Sequence, residues 1–290
     1  MISTTLMIVA PILIAAIGGM ICERSGVVNI ALEGLMAIGA MTAAITHVLL
    51  ESSIGFSIPL ALIFASIAGG VLSLLHAFAS VSLKADQIIS GTGINLLSNG
   101  MTVFICQVLF RMDRTPNYRM GMMSGLFGIY PTIWIALIIL ALAWFFIYKR
   151  PWGLRLRAAG ENPQAAVSAG VNVTRLRYTA IIISGLLAGL AGACLVLTQD
   201  IQFTVNAING KGFIALAAVS FGRWVPLGIL GASFLFGLSS SFAVNIINID
   251  WLSFLPSEMF NMMPFLITLI TLVVFSRNST APKALGAGMD

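Results

Sequence analysis

The chain has 290 residues, of which 59% are hydrophobic and only 9% are charged, and its mean hydropathy is +1.01. A soluble domain carries about 25% charged residues, so this composition excludes a water-soluble globular protein. The net charge of +5 would suggest a nucleic-acid partner in a soluble protein. In a membrane protein it reports topology instead, and we expect the lipid bilayer and no nucleic acid as a partner.

Apolar runs long enough to cross a hydrocarbon core of about 30 Å recur along the whole chain. They are continuously apolar rather than alternating, which indicates helices and excludes the strands of a barrel. The predicted spans are residues 3–21, 31–50, 57–81, 87–110, 131–148, 178–198, 211–222, 226–246 and 259–276. The sequence therefore predicts an all-α, polytopic transmembrane helical bundle of about eight to ten spans, with residues 1–290 forming a single domain.

Span 211–222 is the exception, since it is too short to cross a bilayer comfortably. We expect it to be either a poor crossing or a broken or re-entrant helix buried in protein.

Basic residues indicate the orientation of the chain. One connection, residues 149–177, contains Lys149, Arg150, Arg155, Arg157, Arg175 and Arg177. Because cytoplasmic loops are enriched in Lys and Arg, this connection is predicted to be cytoplasmic. Counting spans then places the N-terminus outside and a short tail, residues 277–290, in the cytoplasm, provided that 211–222 crosses. The tail and the outer loop 111–130 are expected to be the most mobile parts, because Gly, Pro, Ser and Asn accumulate there.

The cytoplasmic connection contains a short helix whose two ends are marked. Asn162 is a good N-cap, Pro163 suits the first helical position and Gly170 can take the left-handed conformation that ends a helix. Glu161 lies beside the positive end of this helix. The residues between the caps are Gln164, Ala165, Ala166, Val167, Ser168 and Ala169. Two interpretations stay open: a capped surface turn between two spans, or a helix that docks a cytoplasmic partner.

Polar residues also interrupt the apolar pattern between the first two spans, from Glu23 to Gly34. Asn29 and Glu33 are four residues apart and would share one helical face, which favours a place toward the bundle interior or a water-filled path. The alternative is structural: Glu23 pairs with Arg24 at the interface, and Asn29 caps the second helix.

A second polar interruption precedes and enters the fourth span. It contains Gln87, Asn95 and Asn99 among small residues. Transporters build polar sites in lipid from broken helices with exposed amides, so these residues are candidates for lining a path. Asn95 and Asn99 would equally serve to join helices by hydrogen bonds.

No catalytic or metal-binding pattern is present in the sequence. Cys22, Cys106 and Cys194 lie far apart in or beside apolar runs, and His47 and His76 have no acidic neighbour at helical spacing. The chain has no phosphate-binding loop of the GxxxxGK[ST] type. We therefore expect no enzyme activity, no catalytic residue, no metal and no cofactor in this chain.

Three stretches together resemble the permeases of the branched-chain amino acid and ribose class of ABC importers. They are Glu23 to Gly34, Leu83 to Asn95, and Gly153 to Asn172 with its core from Gly160 to Pro163. Within that class the chain looks most like the shorter permease of the basic-membrane-protein-type nucleoside importers. The resemblance extends from about residue 4 to residue 276.

This resemblance implies a type II importer permease in the bacterial inner membrane. ATP and Mg would bind a separate ABC ATPase subunit, which receives the coupling helix formed around Gly160, Glu161, Asn162, Pro163, Ala165, Ala166 and Gly170. A second permease subunit of different sequence and an extracytoplasmic lipoprotein or periplasmic substrate-binding protein would complete the importer. Asn29, Glu33, Gln87, Asn95 and Asn99 are the candidates for the nucleoside path.

Two other functions stay open. Importers of simple sugars such as ribose and galactose use closely related permeases. An ion-coupled secondary transporter would need an acid deep within a span, and Glu33 is the one residue that meets that requirement.

Overall fold

The computed structural model describes residues 2–52, 55–119, 121–122, 129–246, 262, 266 and 281–286. The helices are α1 (Ile2–Glu23), α2 (Leu32–Leu50), α3 (Ser57–Ala77), α4 (Gln87–Phe110), α5 (Pro131–Lys149), α6 (Pro151–Glu161), α7 (Pro163–Ser168), α8 (Val173–Gln199), α9 (Lys211–Phe221) and α10 (Pro226–Ile246). A π-helical turn, Phe78–Ser82, continues α3.

Six of these helices are long and apolar enough to cross a membrane: α1, α2, α3 with its π-helical turn, α4, α5 and α8. The predicted all-α polytopic bundle is thereby confirmed. The predicted span 259–276 lies outside the described residues, except for 262 and 266.

The predicted short helix at 211–222 is α9. Its 11 residues extend over about 16 Å, which is roughly half of a hydrocarbon core. It ends at Phe221, and α10 begins five residues later at Pro226. The chain is therefore broken between two apolar helices here, at the boundary predicted between spans 211–222 and 226–246, and the crossing of the bilayer by α9 stays a prediction.

Helix α8 lies at the centre of the bundle, where it packs against α1, α2 and α3. Glycines allow these helices to approach closely. A Cβ atom on Gly39 of α2 would lie 2.2 Å from the carbonyl oxygen of Gly189, and one on Gly192 of α8 would lie 1.9 Å from that of Met36. Close packing through small residues is a main source of helix association in lipid.

Two segments that the sequence predicts to be mobile pack against the bundle where they are described. In the outer loop, Thr115 and Phe203 exchange hydrogen bonds of 3.1 and 2.9 Å, and Tyr118 is buried. In the tail, Ala284 is buried as well. Backbone groups from distant parts of the chain bind these residues, which composition does not reveal, and the mobility of the two segments stays a prediction.

Candidate functional site

The chain between α1 and α2 forms a non-helical segment, residues 24–31, that runs alongside α8. At its start, Arg177 donates a hydrogen bond of 3.3 Å to the carbonyl oxygen of Ser25. Near its end, the Asn29 side chain donates one of 2.7 Å to Ser184. Ser184 lies about 16 Å along α8 from its first residue, so this segment extends well into the bundle before α2 begins.

Backbone groups at such a depth need partners within the protein. Gln87 of α4 accepts a hydrogen bond of 2.7 Å from the backbone N–H of Val28. His76 of α3 lies 3.1 Å from the carbonyl oxygen of Val28 through Nε2. Gln87 and His76 therefore hold the same residue of the non-helical segment from two helices.

Asn95 binds the end of the non-helical segment and the first turn of α2. Its amide donates to the carbonyl oxygen of Ile30 at 3.0 Å, and its Oδ1 accepts from the N–H of Gly34 at 2.8 Å. This supports the helix-joining interpretation for Asn95. Asn99, one turn further along α4, is exposed on the helix surface.

Asn29 and Glu33 do not share a helical face, because α2 begins only at Leu32 and Asn29 lies in the non-helical segment. Asn29 also does not cap α2: the N-cap residue is Ala31, which makes no side-chain bond. Asn29 is fully buried, and its Oδ1 has no hydrogen-bond partner in the described part of the chain.

Glu33 caps the short helix α9. Its two carboxylate oxygens accept hydrogen bonds of 2.7 Å each from the backbone N–H groups of Gly210 and Gly212. A carboxylate stabilises a helix N-terminus by binding its free N–H groups and by opposing the positive end of the helix dipole. Glu33 thus joins the N-termini of α2 and α9 inside the bundle.

The break between α9 and α10 is bound to the end of α1. Glu23 accepts a hydrogen bond from the indole N–H of Trp224, and Arg24 donates bonds of 3.0 and 2.8 Å to the carbonyl oxygen of the same tryptophan. Burial lowers the pKa of the Arg24 guanidinium. The structural alternative paired Glu23 with Arg24, whereas both residues bind Trp224.

The connection between α5 and α8 contains the predicted capped helix, here α7. Asn162 Oδ1 accepts a hydrogen bond of 3.0 Å from Ala165 N–H, Pro163 occupies the first turn, and Gly170 has a φ of +79°. These features confirm the predicted caps. Helix α6, which precedes α7, has no counterpart among the helices predicted from the sequence.

Only part of the predicted coupling surface is accessible. Ala166 is 4% exposed, and a Cβ on Gly160 would lie 2.3 Å from the carbonyl oxygen of Arg24. Both residues therefore serve internal packing, and Pro163 is half-buried. Glu161, Asn162, Ala165 and Gly170 are exposed. The exposed face of α7, which we call the docking face, consists of Gln164, Ala165, Val167 and Ser168, and Val167 is 55% exposed.

The tail connects this region to the non-helical segment. Ala284 N–H donates a hydrogen bond of 2.9 Å to the carbonyl oxygen of Gly160, and Gly286 N–H donates one of 3.1 Å to that of Gly26. Gly26 has a φ of +90°, and a Cβ there would lie 3.2 Å from the carbonyl oxygen of Ala284. Residues 281–286 therefore bridge α6 and the non-helical segment.

Known proteins are similar to this chain in sequence. The model of the family "Branched-chain amino acid transport system / permease component" matches residues 1–272. The guanosine ABC transporter permease protein NupQ of Bacillus subtilis (strain 168) is 39% identical, over 97% of this chain and 93% of its own length. The nucleoside ABC transporter permease protein NupC of Lactococcus lactis subsp. cremoris (strain MG1363) is 38% identical, over 95% and 92%.

A solved ABC transporter in an inward-facing conformation has the same fold, with a TM-score of 0.55 and 16% identity over 94% of this chain and 86% of the other. The family match covers nearly the whole chain, and the six apolar helices agree with it. The chain therefore belongs to the permease component family of branched-chain amino acid transport systems, and it is a multi-pass permease subunit of an ABC transporter.

Proposed function

We propose that this permease forms the path by which nucleosides enter the cell. The observation that carries the proposal is the similarity to NupQ and NupC, whose names specify guanosine and nucleosides, at 39% and 38% identity over more than nine-tenths of the chain. Similarity along the whole chain includes the residues around any path, wherever that path lies.

The basic residues support an orientation with α6 and α7 in the cytoplasm. Lys149, Arg150 and Arg155 are exposed at the junction of α5 and α6, and Arg175 is exposed at the start of α8. The positive-inside rule then puts the N-terminus outside. The hydrogen bonds of Ala284 to Gly160 and of Gly286 to Gly26 support a tail on the same side as α6, which is the cytoplasm in this orientation.

In this orientation the docking face of α7 receives the ATPase subunit. A helix of six residues is marginal alone, so its caps and the buried Ala166 hold it in place. Val167 exposes an apolar side chain at its surface, which a partner groove would cover. ATP and Mg bind that partner subunit, and this permease itself performs no hydrolysis.

The connection between α5 and α8, residues 149–177, which we call the coupling loop, contacts the non-helical segment through Gly160. This residue packs against Arg24, and residues 281–286 bind both Gly160 and Gly26. A displacement of α7 is therefore transmitted to the non-helical segment, and from there to α4 through Gln87 and Asn95. Alternating access requires such a link between the nucleotide state and the bundle.

Among the predicted path residues, Asn99 has the most suitable position. It is exposed beside Leu96, which is also exposed. Both lie on α4, a helix of which most residues are not buried within the described bundle. A second permease subunit facing α4 would enclose a path there. Asn29, Glu33, Gln87 and Asn95 bind the protein itself and would support the wall of that path.

Competition for uptake tests the substrate assignment. Cells without other nucleoside uptake are given the permease together with the ATPase, second permease and binding-protein genes encoded beside it, and the entry of labelled guanosine is measured. We expect excess unlabelled uridine or adenosine to inhibit entry and ribose or galactose to have no effect. Inhibition by the sugars alone would instead identify a sugar importer.

A further inference from the structure

An apolar groove lies between α1, α5 and α8. It has a volume of about 430 Å³, and every described residue that lines it is apolar, including Ile17, Leu142, Phe146, Ile183 and Leu187. Leu142 is 49% exposed, so the groove opens on a face of the bundle that is not covered by the described chain. In a bilayer such a groove is filled by hydrocarbon.

A basic pocket of about 380 Å³ lies at one end of α8. Its polar side chains come from Arg155 of α6, from the N-cap residue Asn172, and from Arg175 and Thr179 of α8. No acidic side chain is among the described residues that line this pocket, and neither guanidinium forms an ion pair within the described ranges. Within the part of the chain that the structure describes, the pocket therefore presents two positive charges without a counter-charge.

The groove and the pocket adjoin each other. Trp152 lines both of them. Leu176 and Thr179 line the pocket, while Ile183 and Leu187 line the groove, and their spacing places all four on one face of α8. This face extends over about 16 Å, which matches one leaflet of a hydrocarbon core of about 30 Å.

We propose that an anionic phospholipid occupies this combined site, with its acyl chain in the groove and its headgroup between Arg155 and Arg175. Basic pockets beside transmembrane helices on the cytoplasmic side suit the headgroups of anionic lipids, and tryptophan is favoured at the membrane interface. An acidic side chain of a partner protein would fit the pocket alone. The continuous apolar groove beyond Trp152 favours lipid.

The position of the headgroup gives the lipid access to the coupling loop. Ala169, Gly170 and Asn172 all line the pocket, and they form the connection from α7 to α8. A bound headgroup therefore contacts α6, this connection and α8 together. Lipid in the site would hold α7 in a fixed position relative to α8.

Native mass spectrometry of the purified permease tests the site. The protein is titrated with phosphatidylglycerol and, separately, with phosphatidylcholine of the same chain length. We expect one phosphatidylglycerol to bind preferentially and the double variant R155A/R175A to bind it about thirtyfold more weakly, on the basis of two basic residues near the headgroup. The matched control K149A/R150A removes two charges from the neighbouring helix junction and should change binding less than about threefold.

A second variant examines the groove. Leu142→Trp adds volume at an exposed lining position, so the protein should keep its gel-filtration profile while its affinity for phosphatidylglycerol falls. Equal binding of both lipids, or unchanged binding by R155A/R175A, would overturn the proposal. Competition by inorganic phosphate would make the pocket a phosphate site, and unchanged binding by Leu142→Trp would mean that another protein segment fills the groove. Each of these results rejects a lipid in this site.

Discussion

Asn95 and Asn99 lie one turn apart on α4 and have different surroundings. Asn95 binds two backbone groups of the chain between α1 and α2, whereas Asn99 is exposed. Sequence spacing alone gives both residues the same two interpretations. Only the contacts with Ile30 and Gly34, more than 60 residues away in sequence, distinguish them.

Replacement of Asn95 should destabilise the protein. Asn95→Leu leaves the carbonyl oxygen of Ile30 and the N–H of Gly34 without their partner, and each unpaired buried group costs about 1 to 3 kcal/mol. We expect the Tm in detergent to fall by about 5 to 10 °C. Thermal unfolding followed by tryptophan fluorescence measures this change.

Asn99→Leu is the matched control and a test of the path. Because Asn99 is exposed, its replacement should leave the Tm within about 2 °C of the wild type. If Asn99 lines the nucleoside path, the rate of guanosine uptake should fall at normal protein abundance. Normal uptake by this variant would remove Asn99 from the path.

Glu33 provides a second test at this scale. Glu33→Gln keeps one acceptor oxygen and places an NH₂ group against the helix N-terminus, so it should lower the free energy of unfolding by about 1 to 2 kcal/mol. Uptake should still depend on ATP, because the carboxylate serves as a cap for α9. Loss of uptake with unchanged stability would instead indicate ion coupling at Glu33.

Local signals predict some elements well. Asn162, Pro163 and Gly170 mark α7 because a cap acts within a few residues of its own position. The sequence does not reveal α6 as a helix, since its glycines weaken the helical pattern. These glycines allow close packing against the neighbouring backbone. A Cβ atom on Gly153 would lie 2.3 Å from the carbonyl oxygen of Ile147, and one on Gly160 would lie 2.3 Å from that of Arg24.

The non-helical segment could not be predicted for a related reason. Asn29 and Glu33 have helical spacing, which favours a continuous helix. The backbone between α1 and α2 stays unwound because partners from other helices satisfy it, and Gln87 and His76 are 59 and 48 residues from Val28. The sequence pattern indicates which polar residues interrupt the apolar spans, but it does not indicate which distant residues bind them.

A charge placed on the docking face should release the ATPase subunit. Val167→Glu places a charge on the exposed apolar position of α7 and should reduce co-purification of the ATPase by about tenfold or more, because a buried unpaired charge is costly. Thr174→Glu is the control: this residue is exposed on α8 outside the docking face, and an acid suits the first turn of a helix. Equal recovery from both variants would place the ATPase contact elsewhere.

The contacts of the tail predict that two truncated chains differ in Tm. Ending the chain at residue 280 removes the hydrogen bonds to Gly160 and Gly26 and the buried Ala284. This truncation should lower the Tm by about 3 to 6 °C, since it costs about 1 kcal/mol per hydrogen bond together with the apolar burial. Ending the chain at residue 286 keeps these contacts and should have the wild-type Tm. Identical values for the two would deny the tail a structural role.

For the whole molecule, the described contacts form one connected series from α7 to the membrane interior. α7 follows α6, Gly160 of α6 packs against Arg24, and the non-helical segment binds α3, α4 and α8. Glu33, in the first turn of α2 directly after this segment, binds the N-terminus of α9. A permease that converts movement at its surface into opening of a path requires such a series.

Uptake by purified components tests this function most directly. The permease is reconstituted in liposomes with its ATPase, second permease and binding protein, and labelled guanosine is supplied on the side of the binding protein. With ATP on the opposite side, we expect guanosine to accumulate for the wild type and Thr174→Glu, and to stay at the level without ATP for Val167→Glu. Accumulation without ATP, or full activity of Val167→Glu, would contradict an importer driven through α7.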